Sequence, residues 1–248
     1  MINFDSIAFK QMVDAQLAAN QNKRIFRFEY QGEFFWVKQP EKLHGIWHLL
    51  KPHPKKAFAE EIAILKAFMQ INAPVPNLVA SGEDFLVLED AGVTIARWLE
   101  DKTVSEAQKM QILQDGVQAL IDLHRRGLVH GRPALRDMTW KAGKVLFIDF
   151  ESHSNSQNLL WKQVRDGLIF IHSLGRSKVL SDKQMRAAVD YYAKHCDAEI
   201  WQNTVNFVVK WRCLYHFLLI FKPIAKMDLI AIYRVFEHIL PELRKKLS

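Results

Sequence analysis

Hydrophobic and polar positions change rhythm once along the chain, near residue 90. Before that point the pattern is short and alternating. Residues 24–30 (RIFRFEY) and 33–39 (EFFWVKQ) are rich in aromatic and β-branched side chains, with Gln31-Gly32 between them, and predict a β-hairpin. Residues 57–71 place apolar side chains at helical spacing and predict an amphipathic helix after the Pro52-His53-Pro54 break. Pro74-Val75-Pro76 ends that helix, because proline cannot continue the hydrogen-bond ladder. Residues 78–81 and 85–88 predict two more strands around Gly82-Glu83-Asp84, and residues 1–20 a lead-in helix.

From Thr94 onward the period lengthens to that of helices. Ser105, with Gln108 three residues on, predicts a cap for a long helix that runs to about Arg126 and stops at Gly127. A hairpin region follows over 128–151. Helices are then expected over 157–175, 181–195, 197–221 and 226–246, with Ser181-Asp182 as a cap signal and Pro223 as a breaker. A β-rich first third before an α-rich remainder predicts an α+β chain with its boundary near 89–93. The two parts are 1–90 and 91–248.

Composition changes little in this picture. The 248 residues are 49% hydrophobic and 25% charged, an ordinary globular balance that excludes disorder. A net charge of +7 suits a phosphate-rich ligand, an anionic membrane or nucleic acid alike. No nucleic-acid reading motif accompanies the charge, so no nucleic-acid partner is expected. Cys196 and Cys213 lack companion ligands at metal spacing and read as two buried thiols in a reducing compartment. The opening MINFDSIAFKQMVD lacks an uninterrupted apolar stretch, so a secretory signal is not expected. The most apolar run, 213–221, is shorter than the roughly 20 residues a bilayer crossing needs. A cytoplasmic protein is expected. In the tail, Trp201, Trp211, Tyr215 and Phe217 lie among Lys210, Arg212, Lys222 and Lys226. They read either as core or as a basic surface with peripheral contact at the inner membrane.

Candidate chemistry concentrates in 123–151, LHRRGLVHGRPALRDMTWKAGKVLFIDFE. A helix end leads to a His130-Gly131 turn, a hairpin, and an apolar strand ending in Ile148-Asp149-Phe150-Glu151. A carboxylate at the exit of a buried strand, such as Asp149, is either solvated or bound to something. Asp137 precedes it by twelve positions and reads as a loop cap or as a second functional carboxylate. Upstream, Lys38 closes a strand, and Glu61 lies 23 residues later on the amphipathic helix, with Glu60 as the alternative partner by one position. A strand lysine alone is commonly a surface cation.

In order and spacing, Val37-Lys38, Glu61, Pro74-Val75-Pro76, Leu86 to Glu89, Leu123-His124, His130-Gly131 and Ile148 to Glu151 resemble the protein-kinase-like phosphotransferases. The glutamate ending the last motif resembles the bacterial lipopolysaccharide-core kinases, which phosphorylate Kdo or heptose sugars with ATP and Mg²⁺. The resemblance covers roughly 24–175. It implies a bilobal fold, with a small β-rich N-lobe over 1–90 and a larger helical C-lobe over 91–248. It also implies that Lys38 binds the α/β phosphates of ATP, that Glu61 orients Lys38, and that Asp137 and Asp149 hold Mg²⁺. The backbone of Glu89 to Ala91 would meet the adenine edge. His130 would brace the loop, as would Asp166 in the Arg165-Asp166 pair. The acceptor implied is a saccharide or glycolipid hydroxyl.

Three departures from that pattern stand in the sequence. Asp137 takes the place of the family's metal-binding asparagine, an exchange that keeps an oxygen ligand and adds charge. No Gly-x-Gly-x-x-Gly covers the phosphates; between the first strands only Gly32 occurs. Where such enzymes carry His-Gly-Asp, this chain has His130-Gly131-Arg132. A guanidinium cannot take a proton at working pH, so Arg132 cannot replace a catalytic base. Either transfer persists, with Arg132 on an anionic group and Asp137 a candidate for the carboxylate, or the chain is a pseudokinase that binds nucleotide without transfer.

Overall fold

Alternation along the first hairpin decides the first sheet. Strand β1 (Ile25–Tyr30) turns Phe26 and Phe28 inward, and β2 (Glu33–Lys38) turns Phe35 and Val37 inward. They pair antiparallel with Ile25 opposite Lys38, across a turn in which Gln31 and Gly32 both have positive φ (53° and 81°). With β3 (Leu78–Ser81) and β4 (Leu86–Glu89) they make a sheet of order β1-β2-β4-β3. Helix α1 (Ile7–Ala19) starts where the Ser6 hydroxyl accepts the Phe9 amide. Its Phe9 and Val13 close the core over Phe26, Phe28, Phe35, Val37 and Val87. Helix α2 (Pro54–Gln70) buries Phe58, Glu61, Ile62 and Leu65, an i, i+3, i+4, i+7 stripe, and packs against β3.

The structure, a computed structural model, describes residues 2–40, 54–150 and 157–240. Its packing divides the chain into two units: Met1–Ala91 with Ile148–Glu151, and Gly92–Phe147 with Ser152–Ser248. The small strand-rich first unit and the larger helical second unit make the protein α+β. The return of 148–151 to the first unit was not read from the sequence. It is anchored there by Phe150, buried edge-to-face on Phe68 at 5.3 Å between ring centroids.

In the second unit, β5 (Val93–Thr94), β6 (Met138–Lys141) and β7 (Lys144–Phe147) form a sheet of order β5-β6-β7. Helix α3 (Ile95–Glu100) follows β5, and α4 (Glu106–Arg125) starts at Ser105, whose hydroxyl accepts the Gln108 amide. Then come α5 (Leu159–Arg176), α6 (Asp182–His195), α7 (Ala198–Lys210), α8 (Arg212–Leu218), a 3₁₀ turn (Leu219–Ile224) and α9 (Met227–Ile239). A full capping box of Ser181 and Gln184 opens α6.

Several expectations need correction. The helix expected over 197–221 breaks at Trp211, which leaves helical geometry (φ −94°, ψ 11°) and donates its amide back to Phe207 and Val208. Helix α3 and the two-residue β5 were not foreseen. The cysteines are not two buried thiols: Cys213 is exposed, Cys196 is half-buried, and both are free. Burial lifts the Cys196 thiol to about 11. The Pro52-His53 break, Glu151 and the expected helical turns past residue 240 lie outside the described residues. Among the described residues no helix is long and apolar enough to cross a membrane.

Candidate functional site

In the first unit, strand alternation puts Lys38 on the face opposite its buried neighbour Val37. From there its Nζ reaches Oε1 of Glu61 at 2.7 Å and Oδ1 of Asp149 at 3.1 Å. Glu61 belongs to the buried stripe of α2, so its carboxylate has to be paired there. Glu60, one residue earlier, faces out. That register settles which glutamate meets Lys38. Asp149 holds φ at 67°, a left-handed conformation that non-glycine residues adopt rarely and often at functional sites. Its side chain remains 31% exposed.

Two carboxylates thus share one ammonium at this corner. Among the described residues no group of three or more His, Cys, Asp or Glu could hold a metal ion. Mg²⁺ does not need such a cage; it is commonly held by one or two carboxylates plus substrate phosphates and waters. A partly exposed Asp149 fits that donor set.

The linker after β4 is tied to the sheet. The Glu89 amide donates to the Asn77 carbonyl (3.0 Å), and the Glu89 carboxylate accepts from Asn77 Nδ2 (2.7 Å). The Asp90 amide donates to Phe34 O (3.0 Å), and its carboxylate accepts from Trp36 Nε1 (2.7 Å). The expectation drawn from the resemblance is a backbone carbonyl and amide within Glu89 to Ala91 at the base edge, and these bonds bear on which amide that is. The amides of Glu89 and Asp90 are committed, and Ala91 is the one whose amide makes no hydrogen bond among the described residues.

The His130-Gly131 loop of the second unit is gripped by its main chain. Asp166, fully buried on α5, accepts the amides of His130 (2.8 Å) and Gly131 (2.9 Å), with His124 Nε2 at 3.5 Å. Arg165 donates from Nη1 to the Gly131 carbonyl at 2.9 Å. His130 Nδ1 accepts the Arg132 amide at 3.1 Å, which fixes its tautomer with the proton on Nε2. Gly131 itself needs φ of 94°, which a side chain would oppose. Gly167 lets α5 lie against α6; a Cβ there would come within 2.7 Å of the Tyr192 hydroxyl oxygen.

Asp137 is buried at the end of the loop. Its Oδ2 lies 3.7 Å from Arg132 Nε and its Oδ1 3.7 Å from Arg136 Nε. The residue is thus ion-paired rather than merely a turn cap. Lys38, Glu61 and Asp149 are brought together, as are Arg132 and Asp137. Arg136, Asn77 and Trp36 were missed. Trp36 was within reach of sequence reasoning, because two positions before Lys38 places it on the same strand face.

No family model matches the chain. A Haemophilus influenzae protein, described as an uncharacterized protein, is 48% identical over 237 residues, spanning 96% of this chain and 97% of that protein. The solved structure of a streptomycin–ATP–APH(2")-IIa ternary complex aligns over 93% of this chain and 99% of that one, at 12% identity and a TM-score of 0.44.

Proposed function

We propose that this chain, which belongs to one family with the Haemophilus influenzae protein, is an ATP- and Mg²⁺-dependent phosphotransferase of the protein-kinase-like type. The observation that carries the reading is the Lys38 ammonium shared by Glu61 and Asp149 at 2.7 and 3.1 Å. Phosphoryl transfer asks little covalent chemistry of a protein; it asks for a cation on the phosphates, a metal and a positioned hydroxyl. Lys38 supplies the cation for the α/β phosphates, and Glu61 holds it extended. Asp149 and Asp137 are the oxygen donors for Mg²⁺, which when bound offsets charge on the phosphate oxygens. The Ala91 amide is the donor for the adenine edge, beside the Glu89 carbonyl.

The acceptor that suits the resemblance is a sugar hydroxyl of a lipopolysaccharide core or another glycolipid. Its oxygen forms the new bond to phosphorus as the bond to ADP breaks, and its proton leaves to solvent, or to Asp137 only where Asp149 alone holds the metal. Arg132 takes an anionic group of the acceptor, the role open to a guanidinium held in place of a base.

A second reading has its own observation. Arg132 and Arg136 both sit 3.7 Å from Asp137, which occupies that carboxylate with cations. A pseudokinase that binds nucleotide and transfers nothing would tolerate this. Thermal-shift titration with ATP and Mg²⁺, followed by ADP release in the presence of core sugars, tests both. Stabilisation with turnover supports transfer. Stabilisation without turnover on any acceptor supports the binding module. No stabilisation by ATP or any other nucleotide would sink both.

A further inference from the structure

The stretch 209–230 presents large apolar side chains that no described element covers. Only Tyr215 of α8 is buried, and the 3₁₀ turn buries nothing. Phe217, Ile220 and Ile224 are 58%, 70% and 75% exposed, and Phe221, Met227 and Ile230 are exposed beside them. The segment is not a frayed end. Its inner side is pinned where the Tyr215 hydroxyl donates to Glu237 Oε1 at 3.1 Å and the Tyr233 hydroxyl donates to the Leu218 carbonyl. Tyr215 also stacks on Phe236 at 5.1 Å, and Lys222 reaches Glu237 at 3.3 Å. The backbone is therefore held while the apolar side chains point out.

The net charge on this stretch is positive, four cations against one acid, with Lys222 paired to Glu237. Lys210, Arg212, Lys222 and Lys226 are all exposed among the apolar residues. The single acid of 209–230 is Asp228, and it is matched by Arg176 Nε at 3.0 Å. Held apolar anchors set among cations are the signature of a surface that lies in a membrane interface, its apolar side a few ångströms below anionic headgroups. A two-fold contact with a second copy would set the same cations against one another. An exposed apolar surface of this kind marks an interaction site rather than an ordinary surface.

We infer that α8, the 3₁₀ turn and the start of α9 form a docking surface for an anionic lipid bilayer. This deepens the reading above, since a glycolipid acceptor would be met at such a surface. Vesicle binding is nonetheless measured without nucleotide, so failed transfer and failed docking remain separate results.

The test is flotation of the full chain with vesicles of phosphatidylcholine alone and of phosphatidylcholine mixed with phosphatidylglycerol. The chain should float with the anionic vesicles, less with the neutral ones, and less as salt rises. The combined variant Phe217→Ser, Ile220→Ser and Ile224→Ser should lower partitioning by about tenfold or more while its thermal midpoint holds, because all three side chains are exposed. Lys210→Gln and Lys226→Gln should each cost about fivefold on anionic vesicles and leave neutral ones unaffected. Absence from anionic vesicles at low salt overturns the inference. So does equal partitioning of the triple variant, or a dimer in sedimentation that the triple variant splits, which would give the face to a second copy.

Discussion

Two of the charged constellations among the described residues are built on opposite plans. In the first unit charges meet charges: the Lys38 ammonium meets the side-chain carboxylates of Glu61 and Asp149. In the second unit a buried charge meets main chain: Asp166 takes the amides of His130 and Gly131. A side-chain ion pair can trade one partner for a ligand without disturbing the fold. A carboxylate that satisfies two buried amides cannot, because an unmet buried donor costs about 1–3 kcal/mol. The first corner is therefore suited to exchange and the second to holding a shape. This explains how the loop tolerates Arg132. The grips on 130–132 use two amides to Asp166, the Gly131 carbonyl to Arg165 and the Arg132 amide to His130. None of these grips uses the side chain at 132, so they do not depend on which side chain stands there.

Removing the main-chain grip should have the largest effect. Asp166→Ala leaves two amides without their acceptor and a cavity beside His124, and should cost about 3–5 kcal/mol of stability. Denaturant unfolding measures it. Asp166→Asn keeps one acceptor oxygen and should cost less. Equal stability of Asp166→Ala and wild type would erase the contrast drawn above.

The exchangeable corner should behave in the reverse way. Lys38→Met and Asp149→Ala should reduce turnover, or nucleotide binding if no turnover exists, by about 10²–10³-fold. Asp149→Ala should also remove the Mg²⁺ dependence of binding. Its effect on stability should be small, because Asp149 is partly exposed and Lys38 keeps Glu61; alanine inherits the left-handed backbone and tolerates it less well than aspartate, at a cost of about 1 kcal/mol. Full retention of metal-dependent binding in Asp149→Ala would remove that residue from the metal role.

Arg132 separates the two plans within one residue. Arg132→Ala should leave nucleotide affinity unchanged and raise the KM for an anionic acceptor by about ten- to a hundredfold, the worth of a charge-assisted hydrogen bond. The KM against kcat split is the informative measurement. A fall in kcat at constant KM would assign Arg132 to the transferring phosphate instead.

Much of this was legible in the sequence, and the reasons differ by element. The first hairpin could be read because aromatic and β-branched residues alternate around Gln31-Gly32, and α4 because Ser105 and Gly127 bracket it. Lys38 and Glu61 were legible together because Glu61 shares a stripe with Phe58, Ile62 and Leu65. The break at Trp211 was not, since WRCLYHF contains no glycine or proline and continues an apolar helical pattern. Strand β5 was missed because two residues carry no period; it exists only by pairing with β6, some 45 residues away (Val93 with Trp140, Thr94 with Thr139). Arg136 on Asp137 was hidden for a similar reason: adjacent charges reveal nothing until the turn aims them.

The smallest test concerns Gly131, where the main-chain plan meets its steric limit. At φ of 94° an L side chain is opposed by its own backbone, so Gly131→Ala should cost about 1–2 kcal/mol. The chain has two ways to meet that cost. It can keep the path and accept the strain, in which case both amide bonds to Asp166 persist and only stability falls. Alternatively it can relax φ, which turns the Gly131 amide away from Asp166 and the Gly131 carbonyl away from Arg165. Hydrogen exchange at residues 130 and 131 distinguishes them, because a lost grip opens both amides while strain alone leaves them protected. Since the grip is made by a fully buried carboxylate with no solvent to replace a departing donor, the strained and protected outcome is the one expected. Rapid exchange at both amides, with stability unchanged, would show that the second constellation is as exchangeable as the first.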